Sequence, residues 1–390
     1  VDQAKTRCTN IHSAGNIKAQ FAFRRISLTS VAVCALAPLG VSHTMPMPNS
    51  FVSGAKDTYF ACKVGQLSRA DRYRRNNILS LTPTDLEIFA INGYGPEDVL
   101  VLANGNVLTG LQDGRLIEIN ADFTNVVIRG QTGGRPLGLE HLPDGRIAVC
   151  DALKGLLAVD LATGAVDVLA DTEGSEAIKF CNNAAVAADG TVYFSTSTQR
   201  YQIDDASRDV IEALPTGRLM RRLPDGRVEQ LLDGLYFANG VIISPDQEFV
   251  LVAETGKARI QRYWLTGTKR GHAEIFVDDL PGLPDNLSLG SDGNVWVALV
   301  TPASDMFRKI TALPFALRWV VARLPEFLKP KQFERLHVVA FGLDGSQIHD
   351  FVMENGPYQF VTGVREQDGV VYLGSLNQPS VAKFTIAGCA

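Results

Sequence analysis

Three observations predict an all-β fold, a six-bladed β-propeller with a helical insertion between the fifth and sixth blades. Six turn-plus-strand motifs recur along the chain, most of their spacings fall near 40 to 45 residues, and each is followed by further short strands after polar gaps. A repeat of about that length holding several short strands is the pattern of propeller blades.

The six turns lie at Asn104-Gly105 (LANGNVLTG), Asp144-Gly145 (LPDGRIAVC), Asp189-Gly190 (AADGTVYFS), Asp246 (SPDQEFVLVAE), Asp292-Gly293 (SDGNVWVAL) and Asp368-Gly369 (EQDGVVYLG). Their intervals are 40, 45, 57, 46 and 76 residues. The last falls to about 41 once residues 301–335 are set aside. Asp-Gly and Asn-Gly flanked by alternating apolar residues are hairpin signals.

Taken in chain order, residues 1–82 lack strand alternation and form an N-terminal appendage, and residues 83–390 form the propeller. The appendage holds one apolar run at 26–41 (ISLTSVAVCALAPLGV) directly after Arg24-Arg25. Sixteen residues fall short of the roughly 20 that span a bilayer, and a basic flank before such a run has the form of a secretory signal or a marginal anchor. A stray translated leader or a buried helix is the other reading. The expected location is accordingly exported or membrane-associated, otherwise cytoplasmic. Residues 85–91 (DLEIFAI) are expected to pair with the strands ending near residues 380–386 and close the ring, since closure removes exposed sheet edges. The segment 301–335 spaces Phe307, Ile310, Leu313, Leu317, Val320, Val321 and Leu324 roughly helically and carries Arg308, Lys309, Arg318, Arg323 and Lys329. It is expected to fold over the pocket as a lid; peripheral membrane contact by a basic amphipathic helix is the alternative.

The net charge of −5, with 42 acidic against 37 basic residues, leaves no electrostatic footprint for nucleic acid. The six cysteines show no C-x-x-C spacing, which argues against zinc. Cys62 and Cys389 flank the repeats, either as two free thiols or, in an exported protein, as a disulfide.

Counting back seven residues from each turn gives Glu97, Leu137, Asn182, Asn239, Asp285 and Val361. Equivalent positions in a ring of blades share one height around the axis, so four oxygen donors converge there. Two carboxylates and two carboxamides form an oxygen-only set suited to Ca²⁺. Converging buried polar groups need a partner, and a cation satisfies them together.

Over about 300 residues the chain resembles the strictosidine synthase-like branch of the calcium-dependent six-bladed propellers, which includes adipocyte plasma-membrane-associated protein, and more distantly paraoxonases and gluconolactonases. The motifs that carry the resemblance are GPEDVLV from Gly95, GRPLGLE from Gly134, FCNNAAVAADGTVYF from Phe180, FANGVIISPD from Phe237, RIQRYWLTGTKRG from Arg259 and LPGLPDNLSLGSDGNVWVAL from Leu280. The resemblance implies that Glu97, Asn182, Asn239, Asp285 and Asn286 match the calcium ligands of the paraoxonase-like members, and that Asp98 and Asn183 take the places of a second, deeper calcium site. The sequence departs from the family in two places. Gln359 stands where strictosidine synthases use a glutamate to condense an amine with an aldehyde, and Leu137 stands where paraoxonases place a histidine; His141 reads as structural.

The expected function is calcium-dependent hydrolysis of small-molecule esters or lactones, of arylesterase or lactonase type, with the metal polarising the substrate oxygen. Asp285 is the candidate for assisting water attack, with Glu97 second. No G-x-S-x-G elbow supports a serine nucleophile. The alternatives are a non-catalytic ligand-binding propeller and a strictosidine synthase-like condensing enzyme.

Overall fold

A computed structural model describes residues 79–325, 328 and 335–386. The apolar run at 26–41, Cys62 and Cys389 lie outside the described residues. Six blades of four antiparallel strands succeed one another along the chain, and in blades 1 to 5 the innermost of the four is the first in sequence. These inner strands are Val99–Val101, Pro136–His141, Cys181–Val186, Ala238–Ile243, Gly282–Leu289 and Val361–Gln367.

Blade 6 is built from both ends of the propeller. Its outer strand is Glu87–Ala90, which runs antiparallel to Ser380–Thr385 in the register Glu87↔Lys383 to Ala90↔Ser380. Closing the ring this way removes the free edge. Leu79–Ser80, ahead of the expected start of the propeller at residue 83, adds to the outer edge of blade 5 in parallel, with Leu79 opposite Phe351.

The turns that mark the repeats join the first and second strands. Five of them hold a glycine at positive φ, such as Gly145 at 87° and Gly190 at 85°, which a Cβ would disfavour; blade 4 places Gln247 there at 57° instead. The core lies between successive blades. Leu100, Leu108 and Leu116 of blade 1 pack on Leu139, Val149 and Leu157 of blade 2, and each later pair of neighbours repeats the pattern. Cys150 and Cys181, both buried, are free thiols.

Three α-helices are described: α1 (Ala206–Glu212), α2 (Asp305–Thr311) and α3 (Phe315–Ala322). The sequence reading did not anticipate α1. The other two form the expected insertion, which follows the fifth turn and precedes the sixth. Strand pairing sets its place within blade 5, between the second strand, Val295–Pro302, and the third, Arg335–Phe341. The Ser304 hydroxyl caps α2 by accepting from Phe307 N, and Pro314 opens α3 where its missing N–H costs nothing, so the segment forms two short helices.

Candidate functional site

A β-bulge interrupts the inner strand of blades 2 to 6 at one height. The register shifts fall at Pro136/Leu139, Cys181/Ala184, Ala238/Val241, Pro284/Leu287 and Val361/Gly363. A bulge suspends the up-down alternation of a strand and re-aims side chains. This lets two consecutive residues, Asp285 and Asn286, both lie buried near the axis.

Glycines settle the ring's register. A Cβ on Gly138 would meet Asn183 Cα at 2.6 Å, one on Gly240 would meet Leu287 N at 2.1 Å, and one on Gly363 would meet Asp98 Cα at 2.7 Å. Even-numbered blades thus present bare backbone to a polar residue or its flank on the next blade: Asn183, Asn286 and Asp98. Since Gly363 corresponds to Gly138 and Gly240, the sixth ring position is Thr362, and the count back to Val361 is corrected. The count fails there because Gln367 pairs with Val370 across a two-residue turn, whereas Val186 pairs with Val192 and Leu289 with Val295 across longer connections.

The ring residues predicted from the sequence come together. Glu97 (3% exposed), Asn182 (3%), Asn239 (2%) and Asn286 (1%) are buried, and Asp285 (9%) is nearly so. Leu137 fills the blade 2 position. Asn286 Nδ2 donates to Glu97 Oε1 at 3.1 Å, and its Oδ1 accepts from Asn183 Nδ2 at 3.0 Å. Asn183 Oδ1 accepts from Val241 N at 2.9 Å, while the Asp98 carboxylate takes Val99 N and Leu139 N and lies 3.8 Å from Arg365. Asp98 and Asn183 are therefore fully engaged in tying blades together.

Three ring oxygens have no hydrogen-bond partner: Glu97 Oε2, Asn182 Oδ1 and Asn239 Oδ1. Two hydroxyls that sequence reading missed hold the amides in this orientation. Asn182 Nδ2 donates to Ser197 Oγ at 2.9 Å and Asn239 Nδ2 to Thr255 Oγ1 at 3.3 Å, and Thr255 Oγ1 in turn donates to Pro284 O. Both hydroxyls follow the second strand of their blade directly. A Ser or Thr 15 or 16 residues after the ring amide was the available signal.

The electrostatics are those of anions in a dry tunnel. Burial, the Asp285 charge and the Asp98 charge raise the Glu97 carboxyl well above the usual range, with Arg135 opposing them. Burial raises Asp285 to about 7 against the bond from Asn239, and raises Asp98 to about 6 against Arg365. No group of three or more His, Cys, Asp or Glu with metal-binding potential occurs among the described residues. The ring instead has two carboxylates, and its remaining donors are amide oxygens.

A strictosidine synthase model matches residues 182–268, and a strictosidine synthase-like, N-terminal model matches residues 75–119. Adipocyte plasma membrane-associated protein of Mus musculus is 33% identical over 317 residues, which cover 75% of each chain. The chain belongs to the strictosidine synthase-like family. Among solved structures, a gluconolactonase of Xanthomonas campestris aligns with a TM-score of 0.57 at 16% identity, covering 77% of this chain and 89% of that one. A calcium-binding protein, regucalcin, of Agrobacterium tumefaciens aligns with a TM-score of 0.53 at 15% identity, covering 77% and 91%. At these identities the likeness shows the six-bladed fold.

In this strictosidine synthase-like chain the ring lies under an apolar cap. Leu137, Phe180 and Phe237 cluster with Ile203, Ala206 and Val210, and the two phenylalanine rings meet edge-on with centroids 5.4 Å apart. Residues 197–216, which carry α1, leave blade 3 at Thr196, opposite Cys181, and the insertion leaves blade 5 at Pro302, opposite Gly282. Both therefore emerge on the face that carries the ring. Arg318 Nη1 donates to Ala213 O at 2.9 Å, Arg323 pairs with the buried Glu212, and Arg200 joins the same carboxylate at 2.8 Å. Arg308 pairs with Asp279. The insertion's arginines thus turn inward, while Phe315 (42%), Leu317 (52%), Trp319 (44%) and Val320 (51%) remain exposed. Gln359 Nε2 donates to Gly356 O within its own loop.

Proposed function

We propose that this chain is a calcium-dependent hydrolase of esters or lactones. The observation that carries the reading is the trio of unpartnered buried oxygens, Glu97 Oε2, Asn182 Oδ1 and Asn239 Oδ1, on the ring that also holds the Asp285 carboxylate. Each buried polar atom left without a partner costs about 1–3 kcal/mol, and one hard cation satisfies an all-oxygen set together. The donor set fits calcium: Glu97, Asn182, Asn239 and Asp285 would hold it, and Asn286 would contribute through its Oδ1. The descriptions of the two solved neighbours, a gluconolactonase and a calcium-binding protein, support both halves of the reading.

A calcium held by these residues would supply Lewis-acid chemistry at a substrate carbonyl oxygen. Asp285 orients an attacking water and accepts its proton, with Glu97 the second candidate for that role. The amides Asn182 and Asn239, locked by Ser197 and Thr255, need no reorganisation during the reaction. The cap of Leu137, Phe180 and Phe237 excludes bulk water and favours an apolar acyl or aryl group. Gln359 has no titratable group, so the amine–aldehyde condensation is not supported.

The insertion's exposed Phe315, Leu317, Trp319 and Val320 support a peripheral contact with a membrane as part of this proposal. Among the described residues no helix is long and apolar enough to cross one.

The test is a panel of aryl acetates and aliphatic lactones assayed with and without chelator, beside calorimetric titration of Ca²⁺ into chelator-treated protein. Calcium-dependent turnover supports the hydrolase. Tight calcium binding with no turnover on any substrate leaves the ligand-binding propeller.

A further inference from the structure

At the places of the second, deeper calcium the oxygens are already engaged. Asp98 Oδ1 accepts from Val99 N at 2.8 Å, its Oδ2 accepts from Leu139 N at 3.0 Å, and Asn183 Oδ1 accepts from Val241 N at 2.9 Å. None of the three is among the buried atoms without a partner, in contrast to the ring oxygens above them. The residues there do not fit a second calcium.

The positive charge at that place comes from the chain itself. Arg365, on the inner strand of blade 6, reaches past blade 1 to blade 2. Its Nε donates to Val99 O at 3.2 Å, its Nη2 to Leu139 O at 2.7 Å and its Nη1 to Glu140 Oε2 at 3.0 Å, and Nη2 lies 3.8 Å from Asp98 Oδ2. Val99 and Leu139 thus each give their N–H to Asp98 and their carbonyl to Arg365, so one anion and one cation share the inner edges of two blades. Two carboxylate and two carbonyl oxygens surround the guanidinium. An all-oxygen set of this kind suits a hard divalent cation, and a planar guanidinium satisfies it with directed N–H bonds and a single charge. The Arg365 side chain is 14% exposed and that of Glu140 22%, so water and ions reach this end of the tunnel.

We propose that the Arg365 guanidinium takes the place of the deeper cation, so that the native tunnel holds at most one metal, at the ring. Nothing in this rests on the hydrolase reading, since it concerns the number of cations and not what the ring does with one.

The experiment counts Ca²⁺ bound per full chain by calorimetry after chelator treatment, in a Glu97→Gln/Asp285→Asn parent that lacks both ring carboxylates. A ring that binds no calcium therefore leaves the test intact. The parent is expected to bind no calcium up to about 1 mM. Adding Arg365→Met, which keeps an apolar stem and removes the charge, is expected to create a site for one Ca²⁺ with Kd on the order of 0.1 mM, toward the weak end of oxygen sites. The melting temperature should then rise with calcium, which it does not in the parent. Asp98→Asn on top of Arg365→Met is expected to weaken the gained site at least tenfold. Arg365→Lys is expected to gain no site and to melt lower than the parent, because one ammonium cannot serve Val99 O, Leu139 O and Glu140 in the same geometry. One calcium bound by the parent and lost on Asp98→Asn would overturn the proposal, and so would a folded Arg365→Met that gains no site. Should Arg365→Met unfold under chelator, refolding on addition of Ca²⁺ is the same gain; if it stays unfolded, the count in the parent and in Arg365→Lys decides, none supporting the proposal and an Asp98-dependent calcium in either overturning it.

Discussion

Asn286 donates to Glu97 Oε1 at 3.1 Å while its own oxygen accepts from Asn183 at 3.0 Å, so one amide on blade 5 joins blades 1 and 3 at the axis. It occupies one Glu97 oxygen and leaves the other, Oε2, without a partner. The same network that closes the ring thereby fixes which atoms stay free for a ligand.

Asp285→Asn separates the catalytic and the stability roles of that carboxylate. Its folded pKa of about 7 lies above the ordinary carboxylate value of 3.8, so without calcium the folded state holds the proton more tightly than the unfolded one. Stability of the calcium-free protein therefore falls as pH rises from about 4 to about 7, and the full penalty stands above that. Chelator-treated Asp285→Asn is expected to melt at a higher temperature than wild type at pH 8 and to converge with it below pH 4. Ester hydrolysis is expected to be lost. A lower melting temperature at pH 8 would contradict the placement of a desolvated anion at Asp285.

Asn239→Ala removes one unpartnered oxygen and releases Thr255. Calorimetry is expected to show calcium bound at least tenfold more weakly. The calcium-induced rise in melting temperature should shrink in step, because a ligand held only by the folded state stabilises it by mass action.

Gly240→Ala tests the packing of the ring. The new Cβ would sit 2.1 Å from the backbone nitrogen of Leu287, where no side-chain rotation relieves the clash. A loss of several kcal/mol, enough to prevent folding, is expected. Gly145→Ala would instead add a Cβ in open space at φ 87°, and thermal melts should show only the smaller cost of that backbone conformation.

Glu212→Gln tests the clasp between α1 and the insertion. The wholly buried carboxylate joins Arg200, Tyr201 and Arg323. Removing its charge leaves cations facing a neutral amide, so hydrogen exchange in α3 is expected to speed up by about tenfold or more, consistent with a loss of roughly 1–3 kcal/mol. Unchanged exchange would show that the apolar contacts of α1 alone hold the insertion.

Gln359→Ala is expected to leave hydrolysis within about twofold of wild type, since the Gln359 side chain bonds only to Gly356 O among the described contacts. A large loss of kcat on the ester panel would bring the last blade into the chemistry.

The sequence by itself determined the repeat, the ring closure and five of the six ring positions. These are local matters: Asp-Gly turns set hairpins, the two-residue alternation sets faces, and a repeated unit forces equivalent positions to one height. Glu97, Asn182, Asn239 and Asp285 were legible because in all four blades the ring position lies seven residues before the Asn or Asp of the turn. Thr362 was not, because the sixth turn is shorter and shifts that count by one. Tertiary structure alone decided what each ring atom does. Whether an amide oxygen faces the axis depends on a hydroxyl just past the next strand, as with Ser197 and Thr255, and whether a carboxylate is desolvated depends on how the blades close around it.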